Sequence, residues 1–184
     1  MARTESAMLA LGTQVPHFAL KDVRDDRLHT NESLAGPKGL LVMFICSHCP
    51  FVKHVEKQLA QLALDYRDAG VGLAAISSND AENYPEDAPA SLAQQALKLG
   101  FTFPYLYDET QAVARAFDAT CTPDFFLFDG EGTLAYRGQL DSSRPGNDIP
   151  VTGRDLRAAL QAVIAGRPVS EEQRPSVGCN IKWK

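Results

Sequence analysis

Apolar residues follow two different spacings along the chain, and the alternation between them predicts the order of strands and helices. Residues 40–45 and 71–77 are nearly continuous apolar runs, which is typical of buried parallel strands. Between them, residues 51–68 carry apolar side chains at helical spacing. Gly70 follows and suits the left-handed conformation that often ends a helix. The pattern therefore predicts a β-α-β unit over residues 40–77.

The flanking segments continue the alternation. Residues 15–20 predict a first short strand, and residues 124–129 with 133–139 predict an antiparallel hairpin around the turn "GEG". Helices are predicted over residues 88–99, 109–117 and 152–166. Gly100 would close the first helix, and Thr152 would be the N-cap of the third. A short strand is predicted within residues 103–109.

This order of elements predicts an α/β sandwich with a mixed central sheet. Composition does not shift along the chain, so we expect one domain over residues 1–184. Its core spans about residues 10–166, and an extended C-terminal tail covers 167–184. A chain of 184 residues is long enough to bury a substantial core.

Charge and composition narrow the function. The net charge is -5, which disfavours partners such as nucleic acid or an anionic membrane, because both require a basic surface. No apolar run approaches the ~20 residues that a membrane span needs. The first residues show no sustained apolar segment of a signal peptide. We therefore expect a cytoplasmic protein, where four cysteines in 184 residues indicate catalysis or metal binding rather than a disulfide scaffold.

Two cysteines, Cys46 and Cys49, flank a serine and His48 where the run 40–45 ends. A helix beginning near Ser47 or His48 would place both thiols on one face, within the separation that a disulfide requires. Its N-terminus would favour a Cys46 thiolate. His48, as an imidazolium, would stabilise that thiolate further, or it would simply point into solvent.

The motifs "LGTQVPHFAL", Cys-x-x-Cys at a helix start and "CTPDFFLFD" before a hairpin resemble the thioredoxin superfamily, in its peroxiredoxin-like (redoxin) branch. The later stretches through "PSVGCNIKWK" resemble a bacterial subgroup of that branch. The resemblance implies a thioredoxin-like three-layer sandwich with an N-terminal β extension. It implies Cys46 as attacking thiol and Cys49 as resolving thiol. It further implies a cis peptide at Pro123, with the backbone of Thr122 free to pair with a bound peptide.

Three positions depart from the patterns of these families. Ile45 stands where thioredoxin has a tryptophan before the first cysteine, and Gly39 replaces an upstream proline of peroxiredoxins. Met43 stands where peroxiredoxins carry a threonine that orients the peroxide, and methionine cannot donate a hydrogen bond. The departures at Gly39 and Met43 weaken a peroxidase interpretation.

The other two cysteines allow alternatives. Cys121, close to Pro123, is either a third redox thiol or a small buried apolar side chain. Cys179 is either an extra resolving thiol or part of a tail segment that packs Ile181 and Trp183 against the body. We favour the packing interpretation for Cys179, because docking a tryptophan buries a large area.

The sequence thus predicts a thiol-disulfide oxidoreductase that uses Cys46 and Cys49. Its substrates would be disulfides of proteins or small molecules, and an upstream reductant would restore it. We expect no cofactor and no resident metal. The alternatives are a thiol peroxidase using Cys46, a cysteine-based protein that binds or delivers Zn or Cu(I), and a non-catalytic interaction domain.

Overall fold

The computed structural model describes residues 3–184, so the first two residues of the predicted domain lie outside the described part. The strands are β1 Arg3–Glu5, β2 Ala19–Asp22, β3 Leu28–Thr30, β4 Gly39–Phe44, β5 Val71–Ser77, β6 Tyr105–Tyr107, β7 Cys121–Thr122, β8 Asp124–Asp129, β9 Leu134–Gly138 and β10 Val177–Asn180. The helices are α1 Asn31–Leu34, α2 Pro50–Asp65, α3 Pro89–Leu99, α4 Ala112–Ala116 and α5 Arg154–Ile164, with a short 3₁₀ helix at Pro85–Asp87.

Seven strands form a mixed central sheet. One half has the order β3-β2-β6-β5 and the other the order β4-β8-β9. The halves meet where β4 ends beside β5, and the N–H of Ile45 donates to the carbonyl of Ile76 there at 3.0 Å. Strands β5 and β6 are parallel, whereas β4 and β8 are antiparallel. This is the mixed sheet that the sequence predicts.

Strand β4 is buried on both faces, and its side chains alternate between two apolar cores. Leu41 and Met43 join the core that contains the apolar faces of α2, α3 and α5. Val42 and Phe44 join the opposite core, which contains residues of α4. Helices on both faces of one sheet give the three-layer, thioredoxin-like sandwich, because only such burial accommodates a continuously apolar strand.

A second, smaller sheet has the order β1-β10-β7. Strands β1 and β10 come from opposite ends of the chain. Strand β10 runs antiparallel to β7, with Cys179 opposite Thr122. The predicted extended tail therefore contains a strand that pairs with β7. No helix within residues 3–184 combines the length and apolar character needed to cross a bilayer.

Several predicted boundaries are wrong by a few residues. The strand predicted at 15–20 begins only at Ala19, and α4 begins at Ala112 rather than 109. Helix α5 has Gly153 as its N-cap, in a left-handed conformation that glycine adopts easily, in place of Thr152. The helix that was predicted to close at Gly70 ends at Asp65. Gly100, by contrast, caps α3 in the left-handed conformation as predicted.

Phe117 is the centre of the second core. Its ring centroid lies 5.3 Å from that of Phe44, 5.4 Å from Phe126 and 5.9 Å from Phe128, and the side chain is fully buried. These edge-to-face contacts join the end of α4 to strands β4 and β8, so they tie this helix to the central sheet.

Phe117→Ala is expected to lower the free energy of unfolding by about 3–5 kcal/mol, since it removes a buried ring and leaves a cavity. Urea unfolding followed by circular dichroism measures this loss. Leu97→Ala is the control, because Leu97 is 84% exposed on α3 and its truncation is expected to change stability by less than about 0.5 kcal/mol. Equal losses in the two variants would contradict the assignment of this core.

Candidate active site

The two thiols of the Cys46–Cys49 motif lie where β4 gives way to α2, at the junction of the two halves of the sheet. The helix begins at Pro50, and Cys49 is its N-cap residue. Proline suits this first helical position because its missing N–H would have no partner there. The expected helix start near Ser47 or His48 is therefore wrong, and it is Cys49, not Cys46, that lies at the helix N-terminus.

Cys46 follows the last residues of the central strand and is buried, with 1% of its surface exposed. Its Sγ lies 3.4 Å from the hydroxyl oxygen of Thr122. The side-chain amide of Gln95 donates to the Cys46 carbonyl at 3.3 Å. The position of this residue is thus fixed by contacts from β7 and from α3.

Cys49 lies between three sulfur or oxygen neighbours. Its Sγ is 2.8 Å from the Sγ of Cys179 and 3.3 Å from the carbonyl oxygen of Thr122. The pKa of Cys49 is lowered to about 5, and the main cause is a hydrogen bond from the Cys46 thiol. Burial acts in the opposite direction and raises the pKa. Hydrogen bonds from the Cys179 thiol and the Val52 amide lower it further. At neutral pH the negative charge of the cluster therefore belongs on Cys49.

The pKa of Cys46 shifts in the opposite direction, well above its usual range. The main cause is the hydrogen bond that it donates to Cys49, followed by burial and by the negative charge of Asp87. This direction is opposite to the expected Cys46 thiolate in the resting site, which remains a prediction. The physical reason is that the helix N-terminus and most donors converge on Cys49, three residues later in the chain.

Asp87 organises the turn between the two thiols, although no motif in the sequence marks it as a site residue. Its fully buried carboxylate accepts from the backbone N–H of Ser47 at 2.8 Å and from the side-chain amide of Asn79 at 2.7 Å. It also contacts the Nδ1 of His48 at 2.5 Å. An acidic residue in the loop after β5, at the same edge of the sheet as the two thiols, is the signal that could have identified it.

His48 does not point into solvent, so that alternative is wrong. Its side chain is only 12% exposed, pairs with Asp87, and stacks on the ring of Tyr84 with centroids 5.7 Å apart. A ring nitrogen of His48 lies within 4.8 Å of the Cys46 sulfur. Stabilisation of a Cys46 thiolate by His48 during reaction remains a prediction.

Within residues 3–184, Cys46, His48 and Asp87 form the group that could hold a metal ion. The ligand atoms of Cys46, His48 and Asp87 all lie within 4.8 Å of one another. A thiolate, an imidazole and a carboxylate are a donor set that zinc accepts. However, His48 and Asp87 already bond each other, so a metal would have to displace that contact.

Thr122 and Pro123 form the wall that faces the thiols. The Thr122–Pro123 peptide bond is cis, as predicted. The backbone of Thr122 is not free to pair with a peptide, because Cys179 of β10 already lies opposite it in the antiparallel ladder. The expected peptide-binding edge is thus occupied by the chain's own C-terminal segment, which the sequence could not position.

The Cys121 thiol contacts a backbone carbonyl rather than another sulfur. The thiol is buried and lies 3.8 Å from the carbonyl of Pro123, and burial raises its pKa far above the usual range. This supports the interpretation of Cys121 as a small buried side chain.

Trp183, expected to anchor the tail, is 38% exposed and instead lies under the guanidinium of Arg115 at 4.5 Å.

Comparisons with known proteins agree with this fold. The model of the AhpC/TSA family matches residues 11–137. The thiol-disulfide oxidoreductase ResA of Geobacillus kaustophilus is 26% identical over 131 residues, which cover 71% of this chain and 70% of ResA.

Among solved structures, an uncharacterized conserved protein from Geobacillus kaustophilus is 56% identical with a TM-score of 0.98, covering 100% of this chain and 97% of its own. A thiol:disulfide interchange protein of the thioredoxin family from Chlorobium tepidum superposes with a TM-score of 0.65 at 18% identity, covering 84% and 98%. The second likeness shows the fold alone. The chain belongs to the AhpC/TSA family, as a thiol-disulfide oxidoreductase of thioredoxin-like fold.

Proposed function

We propose that the chain exchanges disulfides with Cys46 as the thiol that meets the substrate and Cys49 as the thiol that resolves the intermediate. The observation that carries this proposal is that Cys46 and Cys49 flank the turn into α2 and both contact Thr122, with the Cys46 Sγ 3.4 Å from its hydroxyl oxygen and the Cys49 Sγ 3.3 Å from its carbonyl oxygen. The pKa of Cys49 is lowered to about 5. Such a pair holds one proton between two sulfurs at neutral pH. It is thus already half-ionised before a substrate arrives.

In the first step, the Cys49 thiolate takes the proton of Cys46 as the Cys46 sulfur attacks one sulfur of the substrate disulfide. The bond between Cys46 and the substrate forms, the substrate disulfide breaks, and the other substrate sulfur leaves as a thiolate. Cys46 suits this role because it precedes the helix, whereas Cys49 is enclosed by Cys46, Thr122 and Cys179.

In the second step, Cys49 attacks the Cys46 sulfur of the mixed disulfide. The Cys46–Cys49 bond forms, the second substrate sulfur leaves, and the proton of Cys49 passes to the leaving thiolate or to solvent. The substrate has gained two electrons and the protein has lost two. An external dithiol, acting by the same exchange, returns the pair to its reduced form.

Access to Cys46 requires a small opening, since only 1% of the residue is exposed. The Ser47–His48 turn follows Cys46 directly and is held by Asp87, at the end of the 3₁₀ helix after β5. A disulfide of a protein or a small molecule is the proposed substrate. In the reducing cytoplasm that the sequence predicts, the reaction runs in the direction of substrate reduction.

Cys46→Ser is expected to abolish reduction of a model disulfide such as insulin by dithiothreitol above the uncatalysed rate, because no sulfur remains to form the mixed disulfide. Turbidity of the released insulin chain measures the rate. Cys121→Ser makes the same chemical change at a buried thiol outside the cluster, and we expect it to retain the wild-type rate.

Full activity in Cys46→Ser would refute the proposed role of Cys46. The same preparations separate the alternative functions. Consumption of hydrogen peroxide that depends on Cys46, without insulin reduction, would favour a peroxidase. Stoichiometric zinc or copper in protein purified without added metal, lost in His48→Ala, would favour the metal site.

The reduced protein is expected to show a thiolate titration near pH 5, which ultraviolet absorbance of the thiolate and pH-dependent alkylation by iodoacetamide both measure. The pKa of Cys49 is lowered from 9.0 to about 5 in the folded protein. Between these values the unfolded chain holds a proton that the folded chain has released, so stability rises with pH.

This contribution is complete above about pH 9 and is lost as pH falls through about 5. The difference in unfolding free energy between reduced wild type and Cys49→Ser is thus expected to grow over this window. Cys49→Ser serves as the reference because it removes the Cys49 thiol and keeps every other side chain. A titration step near pH 5 that persists in Cys49→Ser would contradict the assignment.

A further inference from the structure

Cys179 lies closer to Cys49 than the packing interpretation of the C-terminal tail requires. The Sγ atoms of the two residues are 2.8 Å apart, and 130 positions of sequence separate them. A disulfide bond is ~2.05 Å long, so a small movement of either side chain would bring these sulfurs to bonding distance. Both residues are buried, and hence the contact is shielded from solvent.

Strand β10 holds Cys179 in this place. It is paired on one side with β1 and on the other with β7, and Cys179 lies opposite Thr122 in the ladder. Gly178 packs so closely against the Thr122 carbonyl that a side chain at this position would collide with it. The backbone around Cys179 is therefore fixed by both neighbouring strands and by this close approach, and its thiol is presented to Cys49 in one register.

We propose that Cys179 is a third redox thiol, which takes the disulfide from Cys46–Cys49 and forms a Cys49–Cys179 bond. The proposal rests on the function proposed above, because the Cys46–Cys49 disulfide is its starting point. In this scheme Cys49 is the sulfur shared by two alternative disulfides. Substrate disulfides react first with Cys46, and the disulfide is then transferred to Cys49 and Cys179, at the C-terminal strand.

The exchange balances within the protein. Cys179 gives up its proton and its sulfur attacks Cys49; the Cys49–Cys179 bond forms, the Cys46–Cys49 bond breaks, and Cys46 leaves as a thiolate that takes up a proton. No electrons enter or leave in this step. A dithiol from outside then reduces Cys49–Cys179 by the same exchange chemistry.

The charges around Cys179 change in the direction that this step needs. In the reduced protein, the pKa of Cys179 is raised to about 12, and burial is the main cause. The hydrogen bond to Cys49 and the negative charge of Cys49 raise it further. The ammonium group of Lys182 acts in the opposite direction. When Cys49 is bonded to Cys46 it carries no charge, so both contributions of Cys49 disappear while Lys182 remains.

The consequence for the cycle is that Cys46 becomes a free thiol again while the protein is still oxidised. The Cys49–Cys179 bond also joins the start of α2 covalently to β10, the strand that occupies the edge of Thr122. An oxidised molecule would therefore keep its C-terminal segment closed over the site until a reductant acts.

The test oxidises wild type, Cys179→Ser and Cys121→Ser with a small excess of a model disulfide, and Cys46→Ser with diamide. Each sample is quenched with acid, its free thiols are labelled with a maleimide, and its tryptic peptides are mapped by mass. Cys46 and Cys49 share the peptide 39–53, so their disulfide stays within one peptide. A Cys49–Cys179 bond instead links that peptide to one that contains residues 175–182.

In wild type we expect the linked peptide pair with the maleimide on Cys46. Cys179→Ser should give only the internal disulfide and no label in the peptide 39–53. Cys46→Ser, oxidised with diamide because it lacks the entry thiol, should still give the linked pair. Cys121→Ser is the matched control and should repeat the wild-type map.

An internal Cys46–Cys49 disulfide in wild type, with labelled Cys179, would overturn the inference and leave the proposed function intact. Two unlinked thiols in diamide-treated Cys46→Ser would also overturn it, and this variant keeps Cys179 in its native surroundings. If neither Cys46 nor Cys49 is oxidised by the disulfide in wild type and in Cys179→Ser, the proposed function itself fails.

Discussion

The start of helix α2 is the constraint on which the chemistry of this protein depends. Pro50 occupies the first helical position, where its ring and missing N–H are tolerated, and the helix therefore begins directly after Cys49. The free N–H groups of the first turn then favour negative charge on the Cys49 sulfur. Cys46, three residues earlier and near Asp87, donates a hydrogen bond instead of carrying the charge. The hydrogen bond from Cys46 and the start of the helix thus both favour a thiolate at Cys49 over one at Cys46.

The C-terminal strand is the second determinant of the site. It fills the backbone edge of Thr122 that the family resemblance assigned to a bound peptide, and it brings a third sulfur against Cys49. A single segment therefore closes the site and adds to its chemistry. The N–H of Lys182, just beyond β10, donates to Asn79, which itself donates to Asp87, so the tail and the Ser47–His48 turn are linked through hydrogen bonds.

Much of the fold could be predicted from local patterns. The continuous apolar run at 40–45 identified β4, because a strand buried on both faces needs no polar side. The helical spacing and Gly100 identified α3 and its end. The predictions failed where an end depends on more than spacing: α5 is capped by Gly153 and not Thr152, and α2 starts after the two thiols and not between them.

By itself, the sequence determined the layered fold, the position of the two thiols at the end of a central strand and the family to which the chain belongs. These features depend on residues that are near one another in the chain. Only the tertiary structure decided which thiol is ionised and what surrounds it. The groups responsible lie far away in sequence: Asp87 is 40 positions from Ser47, and Cys179 is 130 positions from Cys49. The ionisation of a buried sulfur depends on the donors and charges within a few ångströms, and local sequence does not specify those neighbours.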